Sequence, residues 1–290
     1  MIADAGVRRS FASVLFAVPT TTVGAALIVL IAIAAIFAPI VAPHDPNLQN
    51  LALAIKPPIW LSGGEPSYLL GTDNLGRDIL SRIVWGARIA LIVGLSVVAI
   101  GASLGVALGL TAGYRGGWTD ALITRLADIQ LAFPLVLLAI AVVGVVGSSL
   151  LTIVAVLGVT SWVDYVRVVR AETLALRERD FVVAAVATGV SPVRIMLRHL
   201  LPNVASTVTV LASFGVARAI ILESALSFLG LGVPADVPSW GHMLADGRQY
   251  LDTAWWLGLF PGLAISLTVL AVNLFGDGVR DALDPRSRQL

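Results

Sequence analysis

The chain has 290 residues, of which 58% are hydrophobic and 13% charged, with a formal net charge of +1 and a mean hydropathy of +0.92. Soluble domains carry about 25% charged residues, so this composition excludes an ordinary soluble globule and specifies an integral membrane protein. Cysteine is absent and lysine occurs once, as Lys56, which excludes a disulfide framework, a thiolate metal site and the Gly-rich, Lys-bearing phosphate cradle of a P-loop ATPase.

A membrane-crossing helix needs about 20 mostly apolar residues for roughly 30 Å of hydrocarbon. Residues 10–43 carry no charge and supply span one over 18–41, after an N-terminal segment 1–17. That stretch is too long for the apolar region of a signal peptide and precedes further spans, so it reads as a signal anchor. Residues 43–88 form a segment outside the hydrocarbon that ends in LGTDNLGRDILSRIVWGAR. In it Ile79, Leu80, Ile83, Val84 and Ala87 recur at helical spacing and Asp78 and Arg82 stand at i,i+4. The expectation is a helix lying in the interface before span two, with Trp85 as its headgroup anchor.

Span two covers 89–114, where Gly101, Gly105 and Gly109 share one face and permit close helix approach, within or between subunits. Residues 129–163 are again free of charge, and one unbroken helix over them would be about 52 Å long. Gly147-Ser148-Ser149 is the expected break, giving span three over 121–146 and span four over 150–169. Span five covers 204–229 and span six 254–275, separated by a folded-back loop over 232–252 with Pro234 and Pro238. The fold expected is an all-α polytopic membrane protein of six transmembrane helices. Its spans two to six make a core over 89–278, with a cytoplasmic loop 170–203 between spans four and five and a tail over 279–290.

Orientation follows from the arginines. With the N-terminus inside, Arg8, Arg9, Arg115, Arg125, Arg167, Arg170, Arg177, Arg179, Arg194, Arg198, Arg280, Arg286 and Arg288 share the inner side. Lys56, Arg77, Arg82, Arg88 and Arg248 share the outer side. The excess on the first side places both termini and the 170–203 loop in the cytoplasm.

Within that loop DFVVAAVATGVSPVRIMLRHLLPN, residues 180–203, has the build of a docking element. Asp180 suits an N-cap, Gly189 a C′ position, and Ser191 with Pro192 the start of a second helix. Ala184, Ala185 and Ala187 leave a low surface that another protein can approach. Phe181, Ala184, Ala185, Gly189, Val190, Ser191 and Arg194 are the candidate interface residues.

Charged residues inside a bilayer read as functional by default. Arg218 and Glu223 of span five are about 140° apart around a helix. They face a water-filled path, form a bundle-internal pair, or lock span five to a neighbour. Arg125 and Asp128 read as an i,i+3 surface pair. His44, His199 and His242 lie on separate loops and make no metal site. No GxSxG, HExxH or paired catalytic carboxylates occur, so enzymatic activity in this chain is not expected.

The docking element resembles the EAA motif of ABC importer membrane subunits: E-A-A, three residues, G, nine residues, then I-x-L-P. Ala184, Ala185, Gly189, Leu201 and Pro202 match it, while Val183 stands for the Glu and His199 for the Ile. Leu70 to Leu91, Leu222 to Leu244 and Asn273 to Arg286 are similar to the dipeptide/oligopeptide branch, and the chain resembles its second, C-type permease. The resemblance implies a multi-pass protein of the bacterial inner membrane that forms half of a translocation path for di- or oligopeptides. It implies a cytoplasmic coupling helix pair between spans four and five, seated on an ATPase subunit. The implied partners are a second homologous permease subunit, two ATPase subunits, an extracytoplasmic solute-binding protein and membrane lipid, with no nucleic acid. No cofactor is implied in this chain, ATP and Mg belonging to the ATPases. Val183 in place of Glu removes a charge-assisted contact from that docking. The same family imports nickel, glutathione, opines or sugars, which the quoted motifs do not separate from peptides. A stand-alone secondary transporter would need a coupling-ion site and an internal repeat, and a membrane scaffold would leave the docking element unexplained.

Overall fold

The structure, a computed structural model, describes residues 18–283. The expected N-terminal segment, the end of the tail, and Arg8, Arg9, Arg286 and Arg288 lie outside the described residues. Among the described residues no strand forms, only one isolated bridge between Thr72 and Asp78. The helices are α1 (Pro19–Ile36), α2 (Ala38–Val41), α3 (Ile79–Arg115), α4 (Gly117–Ala132), α5 (Leu135–Val146), α6 (Leu150–Leu176), α7 (Asp180–Ala187), α8 (Pro192–Ile195), α9 (Leu201–Phe228), α10 (Trp240–Gly247) and α11 (Trp256–Leu283).

Five helices are long and apolar enough to cross a membrane: α1, α3, α6, the continuous run Pro192–Phe228, and α11. The stretch expected as span three is two helices, α4 and α5, bent by 84°, and it makes a sixth span if the pair crosses together. The bend has a local cause. Pro134 excludes the helical conformation from the residue before it, and Phe133 is extended at φ −99° and ψ 123°. The break at Gly147-Ser148-Ser149 falls where the sequence places it. Gly147 takes φ +92° and the Ser149 side chain accepts from the Thr152 N–H as N-cap of α6.

The interfacial helix before span two is not separate. Residues 79–88 are the first turns of α3, whose 37 residues extend about 55 Å, well beyond a hydrocarbon core of about 30 Å. Nothing between Ile79 and Arg115 breaks the helix, and Gly86 is covered by the Trp240 ring, which approaches a built Cβ to 2.6 Å. Trp85 is half-buried and carries the Arg88 guanidinium 5.7 Å above its ring. Asp78 caps α3 by accepting from the Ser81 N–H and does not pair with Arg82. At the other end of the chain α11 runs through residue 278 without a break, so the first residues of the expected tail continue the last span.

Close packing of α3 on α6 organises the bundle. Gly101, Gly105, Gly109 and Gly113 stand every fourth residue on α3, so one bare stripe faces α6. Built Cβ atoms would meet Ser161, Tyr165, Val169 and Thr173 respectively at 2.8 Å or less. The stripe therefore works within the subunit, the first of the two expectations. A second glycine contact joins α1 to α11, where Gly24 lies on the backbone of Ala271 and Phe275 and Gly278 lies on Thr21.

Residues 42–78 fold over one end of the bundle. Their backbone is tied together by Asn50 N–H to the Leu75 carbonyl, Ile55 to Asp73 and Thr72 to Lys56. Trp240 of α10 donates to the Ile83 carbonyl at 3.0 Å, which fastens α10 to the first turns of α3.

Candidate functional site

Three features carry chemistry, and each is built by a different part of the chain. At the end opposite residues 42–78 lies the 180–200 element. The N-cap of α7 is Arg179, with Asp180 in the first turn, one residue from the expected cap. Its C-terminus is a complete Schellman motif. The Gly189 N–H donates to the Val186 carbonyl and the Val190 N–H to the Ala185 carbonyl, both at 3.0 Å, and Gly189 takes φ +78°. Ser191 is the N-cap of α8 with Pro192 in its first turn.

The second helix of the expected pair is not independent. α8 continues through a π turn over Met196–Leu200 into α9. Pro202 explains the turn, since it cannot donate to the Arg198 carbonyl and its ring would clash there. The Leu201 N–H instead bonds the Met196 carbonyl, five residues back. The element is thereby continuous with the long helix that follows.

Val182, Ala185, Ile195 and Leu200 are buried in one cluster with Leu110 of α3, Val169 of α6 and Val204 of α9. The opposite surface shows Phe181, Val183, Val186, Val193 and Leu197, all exposed. Of the candidate interface residues, Phe181, Ala184, Gly189, Ser191 and Arg194 are on the exposed surface and Val190 is half-buried. Ala185 is buried against the bundle and packs rather than presents itself. Val183, read from the sequence as a departure, sits in the middle of the exposed apolar ridge.

The second feature is a cavity of about 710 Å³ between α3, α4, α5, α6 and α9, lined by Val97, Gln130, Phe133, Leu138, Asp164, Tyr165, Phe214, Arg218 and Leu222 among others. Arg218 Nη1 donates to Asp164 Oδ2 at 2.5 Å, with 63% and 48% of the two side chains exposed. This is an ion pair between helices, as one of the sequence readings has it, but its partner Asp164 was not picked out. The signal for it was an acid inside span four, in a stretch preceded by 35 residues without charge. Asp128 pairs with Arg167 of α6 at 2.9 Å, not with Arg125, because α6 presents its guanidinium across the helix interface. Glu223 is 1% exposed and accepts from Ser227 Oγ at 2.6 Å. Arg218 and Glu223 therefore do not act together: one faces the cavity, the other is held inside α9's own turn.

The third feature lies within residues 42–78 and where they meet α3 and α10. Asp73 accepts from the Arg77 Nε–H at 2.6 Å and stands 3.6 Å from Arg82 Nη1. Arg77 Nη2 donates to Asp246 of α10 at 3.1 Å, which ties the segment to α10. Asp78 lies 3.3 Å from His44 Nδ1, whose ring stacks on Tyr68. Among the described residues no group of three or more His, Cys, Asp or Glu could hold a metal ion.

Residues 105–289 match the family described as the binding-protein-dependent transport system inner membrane component. The chain belongs to that family. Residues 11–58 match the N-terminal TM domain of oligopeptide transport permease C. The chain is 46% identical over 263 residues to the di/tripeptide transport system permease protein DppC of Pseudomonas aeruginosa, covering 91% of this chain and 87% of that protein. It is 45% identical over 267 residues to the dipeptide transport system permease protein DppC of Escherichia coli K12, covering 92% and 89%. The fold is similar to a chain of the MetNI methionine ABC transporter in an inward-facing conformation. There the TM-score is 0.54 at 18% identity, over 71% of this chain and 96% of that one.

Family membership makes this a multi-pass protein of the bacterial inner membrane, a permease component of an ABC transporter and not an enzyme. In that light the residues that sequence reasoning missed are Asp164 and Asp246, whose partners are far away in the chain, and Asp73, whose partners Arg77 and Arg82 are near in sequence but in a loop and the first turn of a helix.

Proposed function

We propose that this chain is one permease half of an ATP-driven importer for di- and short oligopeptides. The observation that carries the reading is the exposed ridge of Phe181, Val183, Val186, Val193 and Leu197. It is apolar, drawn from one short stretch of the chain, and held on a base packed against α3, α6 and α9. Exposed apolar surface of this kind marks an interaction site, and a rigid base lets force applied to the ridge reach the spans. An ATPase subunit is the occupant, and the apolar ridge compensates for the carboxylate that Val183 replaces.

The remaining parts follow from the same assembly. The α4–α5 pair crosses the membrane as one broken span, giving six spans with both termini in the cytoplasm, as the distribution of arginines requires. A second, homologous permease closes the cavity, two ATPases bind ATP and Mg, and an extracytoplasmic binding protein delivers cargo. Peptides are favoured over nickel, glutathione, opines or sugars because the relatives named above are di- and tripeptide permeases. Closure of the ATPases drives the 180–200 element and α9 together between two packed states.

Affinity purification of the tagged chain from its native membranes, followed by mass spectrometry, tests the assembly. A homologous permease and one or two ATPases are expected. Recovery of the chain alone, still able to move solute in proteoliposomes, would overturn the reading.

A further inference from the structure

The cavity between α3, α4, α5, α6 and α9 is apolar over most of its wall, with Phe133, Leu135, Leu138, Leu211, Phe214 and Leu222 on it. Its polar side chains are mostly occupied locally. Gln130 donates to the Thr160 carbonyl at 2.5 Å and accepts from Trp162 at 2.6 Å. Thr160 donates to the Val156 carbonyl and Ser161 to the Gly158 carbonyl. Arg167 makes an open pair with Asp128, which is not on this wall. Asp164 and Arg218 are an open pair with both charges on the cavity wall. They share a single hydrogen bond, a guanidinium has five donors, and about half or more of each side chain is open. Asp164 lies 14 residues after the start of α6 and Arg218 10 residues before the end of α9, which puts both well inside their helices, about 21 and 15 Å from those ends.

We infer that Asp164 and Arg218 form a binding site for the two charged ends of a zwitterionic peptide, Asp164 taking the terminal ammonium and Arg218 the terminal carboxylate. The inference rests on the peptide-import reading and deepens it. An open pair with one hydrogen bond holds helices weakly, since exposed pairs contribute about 0–1 kcal/mol, so a lock is a poor account of two charges at this depth. A zwitterion supplies both counter-charges at once, and exchange with the internal pair leaves no charge unpaired on either side. The volume is of the size that encloses small ligands, about 300–1,000 Å³. The apolar wall accepts varied side chains, while the ends are what all short peptides share. Tyr165 lines the same cavity with its hydroxyl buried and unpartnered, pressed against Gly215, where a built Cβ would be 2.7 Å away. A small rotation of α9 relative to α6 would free that hydroxyl as an added donor to the carboxylate.

The test uses the assembled transporter purified without its binding protein. Saturation-transfer NMR measures the affinity of Ala-Ala, N-acetyl-Ala-Ala and Ala-Ala-amide for the wild-type complex and for the double variant Asp164→Asn with Arg218→Gln. The double variant removes both charges at side chains that are about half or more exposed, an ion pair of the kind that contributes about 0–1 kcal/mol. The wild type should bind each blocked peptide about tenfold more weakly than Ala-Ala, the scale of one lost hydrogen bond to a charged group. In the double variant the three should bind alike, with the unfolding temperature of the complex unchanged. Retention of wild-type discrimination by the double variant overturns the inference, and so does a wild type that treats all three alike. Uptake of Ala-Ala by the wild-type complex supplied with its binding protein is measured alongside. Failure of that uptake sinks the peptide reading itself, separately from the assignment of these two residues.

Discussion

Adding a single methyl group at Gly105 should separate α3 from α6. A Cβ built there lies 2.4 Å from Tyr165 Cβ, 2.6 Å from the Trp162 carbonyl oxygen and 3.0 Å from the Val166 nitrogen. Carbon atoms rest at about 3.5–4.0 Å, so the two helices must move apart by about 1 Å. Two of the three neighbours are backbone atoms, so no rotamer change relieves the clash. Overpacking of this kind costs about 1–3 kcal/mol, against which the helix-propensity gain of Gly→Ala returns about 0.5–1 kcal/mol. Gly144 of α5 is the internal control, because nothing lies within 4 Å of its built Cβ. Gly144→Ala should carry the propensity gain alone, so the two alanine variants should differ by about 1–3 kcal/mol. Thermal unfolding of the purified chain in detergent, followed by tryptophan fluorescence, should show Gly105→Ala melting several degrees below Gly144→Ala. Equal shifts for the two variants would refute the claim that a bare stripe on α3 sets the spacing of this bundle.

Gly189→Val should strain the backbone without any clash, because Gly189 has φ +78° and open space around its built Cβ. The cost is about 1–2 kcal/mol, and Asn, which tolerates this conformation, should cost less. Co-purification of ATPase subunits should fall for Val and hold for Asn, and equal recovery with all three residues would count against the motif as a docking determinant. Within residues 42–78, Asp73→Asn removes the carboxylate facing Arg77 and Arg82, leaves Arg77 with Asp246, and should destabilise the chain by about 1–3 kcal/mol. Arg82→Met should cost much less, because Arg82 Nε and Nη1 are already buried without hydrogen-bond partners; the reverse order in a melting experiment would show that Arg82 is the keystone. Burial pushes the His242 imidazole below its ordinary value, with Asp246 opposing and Arg82 and Arg77 adding to the shift. A base with a lowered folded pKa binds fewer protons folded than unfolded. Stability should therefore be complete above about pH 6.5 and decline as pH falls below it. His242→Gln should flatten that decline in melting curves from pH 7.5 to 5, and an unchanged slope would assign it to other groups.

What could be read in advance was what neighbours in the chain decide. Gly189 ends α7 and Pro192 opens α8 because capping is settled within six residues, and Gly147 stops a helix for the same reason. Pro134 was equally local and went unread: the run 129–163 was divided at its glycine alone, although a proline restricts the residue before it just as firmly. Pro202 likewise signals the π turn that fuses α8 to α9. The pairing of charges was not legible. Asp78 and Arg82 stand at helical spacing yet Asp78 caps the helix and Arg82 faces Asp73, while Asp128 finds Arg167 across to α6.

By itself the sequence determined the membrane class, the apolar segments, the capped ends of the 180–195 helices and the bare glycine stripe, since each depends on composition or on residues within a few turns of one another. Tertiary structure alone decided that residues 79–88 belong to α3, that Ala185 points inward while Val183 points outward, and that Arg218 meets Asp164, 54 residues away, at the wall of a cavity. In a bundle whose helix faces are nearly all apolar, hydrophobic pattern cannot distinguish a face that meets a neighbour from one that meets lipid. The rotation of each helix is fixed only by which small residue lets which partner come close.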